Sequence, residues 1–130
     1  MSRRLRAWLP PVAWAAVIFS LSSRPRLPTV DVPSFDKVAH FGAYALLGWL
    51  LLRAAERTPL PLWVGAVLGV AYGATDEIHQ RFVPGRSPDV LDWFADAAGV
   101  LAATFIYTRL RARRAPPAGE AGGRAPLLRA

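Results

Sequence analysis

The chain has 130 residues, enough for one domain and too few for two ordinary ones. Hydrophobic residues make up 53% of it and the formal net charge is +7, a balance that points to nucleic acid or an anionic membrane surface as partner. Cysteine is absent, which excludes disulfides, thiolate metal sites and thiol catalysis.

Four apolar blocks follow one another along the chain. The first, residues 7–23, carries no charge. The second, residues 38–52, lies between Lys37 and Arg53, and the third, residues 58–75, between Arg57 and Asp76. The fourth, residues 90–108, is interrupted by Asp92 and Asp96. Each is somewhat shorter than the ~20 apolar residues of an ordinary membrane-spanning helix. The spans are therefore expected to be short and little tilted, with their polar flanks at the interface.

A soluble four-helix bundle is the rival reading. It requires a polar face on each helix. Neither residues 12–19 (VAWAAVIF) nor residues 63–72 (WVGAVLGVAY) has one. A cleaved signal peptide is the rival for the first block, with Arg3, Arg4 and Arg6 before it. The small-x-small cleavage pattern is missing at Ser22-Ser23-Arg24-Pro25, so a retained helix is expected, with Pro10 and Pro11 in its first turn. The expected fold is thus all-α, an integral membrane bundle of four transmembrane helices. Its domain covers residues 1–114, and residues 115–130 form a basic, Pro/Gly/Ala-rich tail expected to be disordered.

Charge sets the expected orientation. Eleven positive residues fall in the N-terminus, the loop after Arg53 and the tail, against five on the other side: Arg24, Arg26, Lys37, Arg81 and Arg86. The positive-inside rule then puts both termini in the cytoplasm. Seven of the nine acids run the other way, to the outer side. Basic residues at membrane ends, rather than on a folded face, speak against nucleic acid. The run from Arg109 to Arg114 is expected to flank the last span and attract anionic lipid.

The outer ends concentrate the unusual residues. Asp36, Lys37, His40 and Tyr44 open the second block, and Asp36, His40 and Tyr44 share a face at i, i+4, i+8. Tyr72, Asp76, Glu77, His79 and Gln80 close the third. Arg81 and Arg86 lie in the following loop, and Asp89, Asp92 and Asp96 open the fourth block along a stripe continued by Gly99 and Ala103. A central Asp in a span costs about 2.5–3.5 kcal/mol on insertion scales, so such residues face a bundle interior and mark function. Interhelical glue is the plain alternative, through pairs such as Arg86–Asp92.

The chemistry open to the cluster is broad. The run Asp76-Glu77-Ile78-His79 matches no helical metal-ligand pattern such as H-E-x-x-H, and no metal or cofactor is expected. Carboxylates and His in a partly dry site suit acid–base work, but no Ser sits in an evident triad; Ser34 and Ser87 read as turn or cap residues. Arg81 and Arg86 suit a phosphate or carboxylate.

Three stretches carry a resemblance: 36–44 (DKVAHFGAY), 72–86 (YGATDEIHQRFVPGR), and Asp89, Asp92, Asp96 with Gly99. Together they resemble the VanZ-like family over about residues 9–110. One departure is Asp96, where many relatives carry Asn. The resemblance implies a small helical multi-pass protein of the bacterial cytoplasmic membrane, in a family whose name-giving member is linked to teicoplanin resistance. The resulting expectation is an outer-leaflet pocket engaging a lipid head group, a cell-wall precursor or a glycopeptide. The alternatives are an enzyme acting on a lipid-linked substrate and a ligand-free membrane scaffold.

Overall fold

The computed structural model describes residues 1–25 and 33–114, the side chains of residues 33–35 excepted. The tail and the expectations on Arg26 and Asp31 lie outside these residues. All regular structure among the described residues is helical: α1 Arg3–Ala7, α2 Leu9–Ser22, α3 Pro33–Arg57, α4 Leu62–Gln80 and α5 Val90–Arg114.

The first apolar block forms a nearly continuous helix starting at Arg3, earlier than expected, with a break at Trp8. Pro10 and Pro11 explain the break. They have no N–H to offer the carbonyls of Arg6 and Ala7, so the ladder lapses for two steps and resumes with Val12 N–H on Trp8 O. Pro59 and Pro61 separate α3 from α4 in the same way, so α4 starts at Leu62 rather than near Thr58.

Helices α3 and α5 are each 25 residues long, well beyond their apolar blocks. They run on through Asp36 and Lys37 at one end and Arg109 to Arg114 at the other, because these side chains tolerate helix and reach water beyond the apolar zone. Each spans about 37 Å, longer than its apolar block because the charged flanks continue the helix. Arg3–Ser22, Asp36–Arg57 and Val90–Arg114 are long and apolar enough to cross a membrane. Helix α4 has 19 residues and carries Asp76, Glu77 and Gln80 in its last turns. Large apolar side chains point outward on several helices, among them Val12 on α2, Trp63 and Val67 on α4, and Leu101 and Phe105 on α5. Exposed apolar surface of this kind suits lipid rather than water.

The helices alternate in direction. The C-terminus of α2, the N-terminus of α3, the C-terminus of α4 and the N-terminus of α5 meet at one end, joined by side-chain hydrogen bonds. At the other end Arg3 and Arg6 line a hollow with Arg57. The charges separated along the sequence are thus separated in space, as an acidic end and a basic end.

Small residues set the packing. On α4, Gly65, Gly69 and Gly73 form one buried stripe. On α5, Gly99 stands where a Cβ would run into Phe41 O and come within 2.9 Å of Ala45 N, so α5 lies directly on the α3 backbone. Tyr44, Leu47, Leu51, Val100 and Ile18 fill the core below that crossing. Three side chains tie neighbouring helices through carbonyls: Trp14 Nε1 to Ala43 O (2.9 Å), Tyr72 OH to Ala15 O (2.7 Å) and Trp93 Nε1 to Val70 O (3.3 Å).

Candidate functional site

The α3–α5 crossing aligns the two acidic-end faces. One turn before Gly99, Asp96 meets His40 of α3, with Oδ1 2.9 Å from Nδ1. One turn further out, Asp92 Oδ1 accepts from Lys37 Nζ at 2.8 Å, and Asp89 Oδ2 accepts from the same ammonium at 2.9 Å. Asp92 Oδ2 lies 4.0 Å from His40 Nε2. Asp89 also opens α5: its Oδ1 accepts the Leu91 N–H at 2.8 Å. Its own N–H donates to Glu77 Oε2 at 2.9 Å, which binds the end of α4 to the start of α5. The Lys37 ammonium beside Asp89 holds that carboxyl below the usual carboxylate range.

A second group forms around Asp76. Its Oδ1 accepts from Ser22 Oγ at 2.6 Å and its Oδ2 from Gln80 Nε2 at 3.3 Å. Next to it, Ser23 Oγ and His79 Nε2 are 2.9 Å apart, and the His79 ring lies 4.5 Å from Phe19. Ser22 and Ser23 belong to α2 and its cap, so the first helix completes the site. Sequence reasoning missed both, having used them only to argue against cleavage. The signal was there: consecutive hydroxyls end an otherwise apolar block at the depth of the acids.

The loop between α4 and α5 turns at Val83–Arg86, where Arg86 N–H reaches Val83 O. Pro84 and Gly85 are its central residues, and Gly85 has φ 75°, which favours glycine. The turn brings Arg86 back onto the end of α2, where Nε donates to Arg24 O (3.2 Å) and Nη2 to Leu21 O (3.3 Å). The Arg86–Asp92 pair of the glue alternative therefore does not form: Lys37 takes Asp92, and Arg86 donates to the Arg24 and Leu21 carbonyls. Arg81 is exposed.

A cavity of about 170 Å³ opens among these groups. Ile18, Leu21, Ala39 and Ala43 give its apolar wall, and Ser22, Asp36, His40, Tyr44, Asp76 and Arg86 its polar one. Asp36, His40 and Tyr44 share this wall, as their spacing predicts. Tyr72 stands apart: its hydroxyl is used on Ala15 O, although its ring lies 6.2 Å from Tyr44. Glu77, Gln80, Asp92 and Asp96 are buried behind the wall. Three buried polar atoms lack a hydrogen-bond partner among the described residues: Tyr44 OH, Glu77 Oε1 and Asp96 Oδ2. Two groups offer ligand atoms within 4.8 Å of one another, Asp36–His40–Asp92 and His40–Glu77–Asp96.

The basic end holds a larger hollow of about 660 Å³, lined by Trp49, Arg53, Glu56, Arg57, Tyr107, Leu110, Arg111 and Arg114. Glu56 anchors it, accepting from Tyr107 OH and from Arg111 Nε at 2.9 Å. Sequence reasoning used these arginines for orientation and, for the run from Arg109 to Arg114, for attraction to anionic lipid, without expecting a hollow.

The fold and site define a class: a helical membrane protein with its buried polar side chains gathered at one end of the bundle. A family model described as VanZ/LLP1 matches residues 4–111, and the chain belongs to that family. No curated protein and no solved structure matches the chain.

Proposed function

We propose that this VanZ-family membrane protein crosses the bacterial cytoplasmic membrane four times, both termini inside, and holds a small polar head group at the outer leaflet. The 170 Å³ cavity carries the reading. It sits at the acidic end, beneath the turn that places Arg86, with an apolar wall from α2 and α3. Asp36 and Asp76 on its wall suit an ammonium group. Arg86 uses two N–H groups on carbonyls and has others left for a phosphate or carboxylate. The volume is below the ~300–1,000 Å³ of drug-sized pockets, which suits a lipid head group or the end of a cell-wall precursor. A whole glycopeptide is far larger and would touch only the rim.

Support for α4 as the fourth span comes from its place in the bundle, packed along both α3 and α5 with Trp63 and Val67 facing out. The arginine-lined hollow at the basic end supports contact with anionic lipid on the inner side.

Binding is favoured over turnover by the state of the hydroxyls. Ser23 has one proton, and its Oγ lies 2.7 Å from Phe19 O as well as 2.9 Å from His79. With the proton on Phe19 O, His79 donates to Ser23 rather than activating it. The scaffold reading has its own observation: Asp76 and Asp92 already have protein partners.

The test is lipid analysis of protein purified from native membranes. A head-group class enriched over bulk lipid is expected with wild type and the lipid-facing control Val67→Leu, and is expected to be lost with Asp36→Asn and Arg86→Ala. Equal lipid profiles for all four proteins would sink the head-group reading. Loss of membrane abundance in both charge variants would favour the scaffold.

A further inference from the structure

We propose that His40, Glu77 and Asp96 hold a divalent cation, a role their positions in the sequence do not suggest. The three come from α3, α4 and α5, and one ligand atom from each lies within 4.8 Å of the other two. No spacing rule within one helix reports such a set.

The geometry fits ligation. His40 Nδ1 and Asp96 Oδ1 are 2.9 Å apart. Two donors at right angles about an ion with bonds of ~2.1 Å stand ~3 Å apart, so both can bind one ion where they now share a hydrogen bond. Glu77 keeps one oxygen on the Asp89 N–H and leaves Oε1 unpartnered to complete the set.

An independent observation points to a ligand. Asp96 is fully buried and Glu77 only 8% exposed, yet Asp96 Oδ2 and Glu77 Oε1 have no hydrogen-bond partner among the described residues. Asp96 Oδ2 lies against α4, 3.2 Å from where a Gly73 Cβ would stand. Gly73 is one helical turn from Glu77 on the same face. The Glu77 and Asp96 carboxyls therefore lie on the same side of α4, with an oxygen of each within 4.8 Å of the other. Buried carboxylates need a compensating charge. Lys37 does not supply it, being held by Asp89 and Asp92. Tyr44 stands one turn from His40 with its hydroxyl buried and unpartnered, a further polar group for a water on the ion.

The donor set selects the ion. One imidazole nitrogen with carboxylate oxygens suits Mn²⁺, Fe²⁺ or Zn²⁺ better than Ca²⁺ or Mg²⁺, which favour oxygen throughout. Because His40 also lines the cavity, an ion here would add positive charge to its inner wall. The inference joins His40 of that wall to two carboxyls that do not line the cavity, and stands without the head-group reading.

The test uses the whole purified chain in detergent, stripped with EDTA and titrated with Mn²⁺ under electron paramagnetic resonance. About one Mn²⁺ per chain is expected, displaced by Zn²⁺, with pulsed spectra showing nitrogen coupling from one imidazole. The chain has two histidines, so the coupling is expected to persist in His79→Gln and vanish in His40→Gln. Glu77→Gln and Asp96→Asn are expected to weaken Mn²⁺ at least about tenfold. Absence of Mn²⁺ from wild type, or bound Mn²⁺ without nitrogen coupling, would overturn the proposal, and neither depends on a variant folding. Equal lipid profiles for wild type and the charge variants, with Mn²⁺ coupling intact, would remove the head-group reading alone.

Discussion

Ser22 Oγ donates to Asp76 Oδ1 at 2.6 Å, joining the ends of α2 and α4 across 54 positions of sequence. Both residues are buried, and the contact makes the first helix part of the acidic end.

Ser22→Ala leaves Asp76 with Gln80 as its side-chain donor. A loss of about 1–3 kcal/mol is expected, because a buried acceptor goes partly unpaired. Thermal unfolding in detergent checks it, with Ser20→Ala as control, since Ser20 is exposed and bonds only its own helix. An unchanged melting temperature for Ser22→Ala would mean that the contact carries no weight.

Gly99→Ala drives a methyl group into the α3 backbone at Phe41. Helices α3 and α5 must then separate, at about 1–3 kcal/mol. Gly42→Ala is the matched control: its Cβ would meet nothing within 4 Å, and alanine favours the helix. The two variants are expected to move stability in opposite directions. Equal behaviour would rule out the close crossing.

Asp89 gives a pH signature. Its folded pKa is lowered, first by the hydrogen bond from Lys37, so its contribution is present above the unfolded value of ~3.9 and is lost as pH falls through the folded value. Asp89→Asn keeps a capping side chain while removing the charge. The stability gap between wild type and Asp89→Asn is expected to be widest near neutral pH and to narrow as pH falls below about 4. Melting curves across that range decide it; a gap that widens in acid would contradict the pairing.

Topology is open to labelling. A cysteine at Ser87 is expected to react with an impermeant thiol reagent on intact cells, and one at Thr58 only after lysis. Both positions are at helix ends, at the acidic and basic ends respectively. The reverse pattern would place the head-group pocket on the cytoplasmic side.

Much of the site was legible because helical spacing is local. Asp36, His40 and Tyr44 were assigned to one face by their separation of four, and they share the cavity wall. Of the stripe Asp89, Asp92, Asp96, Gly99 and Ala103, all but the partly exposed Asp89 are buried. Tyr72 shows the limit of the same rule: its spacing groups it with Asp76, yet its hydroxyl is taken by the α2 backbone. The Arg86–Asp92 pairing failed for a related reason. Loop geometry, rather than charge, decided which partner Arg86 could reach.

By itself the sequence determined the apolar segments, the family and the sorting of acids from arginines, since hydropathy, motifs and charge are properties of the chain read in order. Only the tertiary structure decided who meets whom. It placed Ser22 on Asp76, gave Lys37 to Asp89 and Asp92, and brought carboxylate oxygens of Glu77 and Asp96 within 4.8 Å of each other and of a His40 nitrogen. Those contacts depend on the rotation of four helices, and those among α3, α4 and α5 on how closely these three approach. That approach is set by the absence of a side chain at Gly99 and Gly73, whose effect is felt on the helix opposite and leaves no mark in the spacing of the residues it brings together.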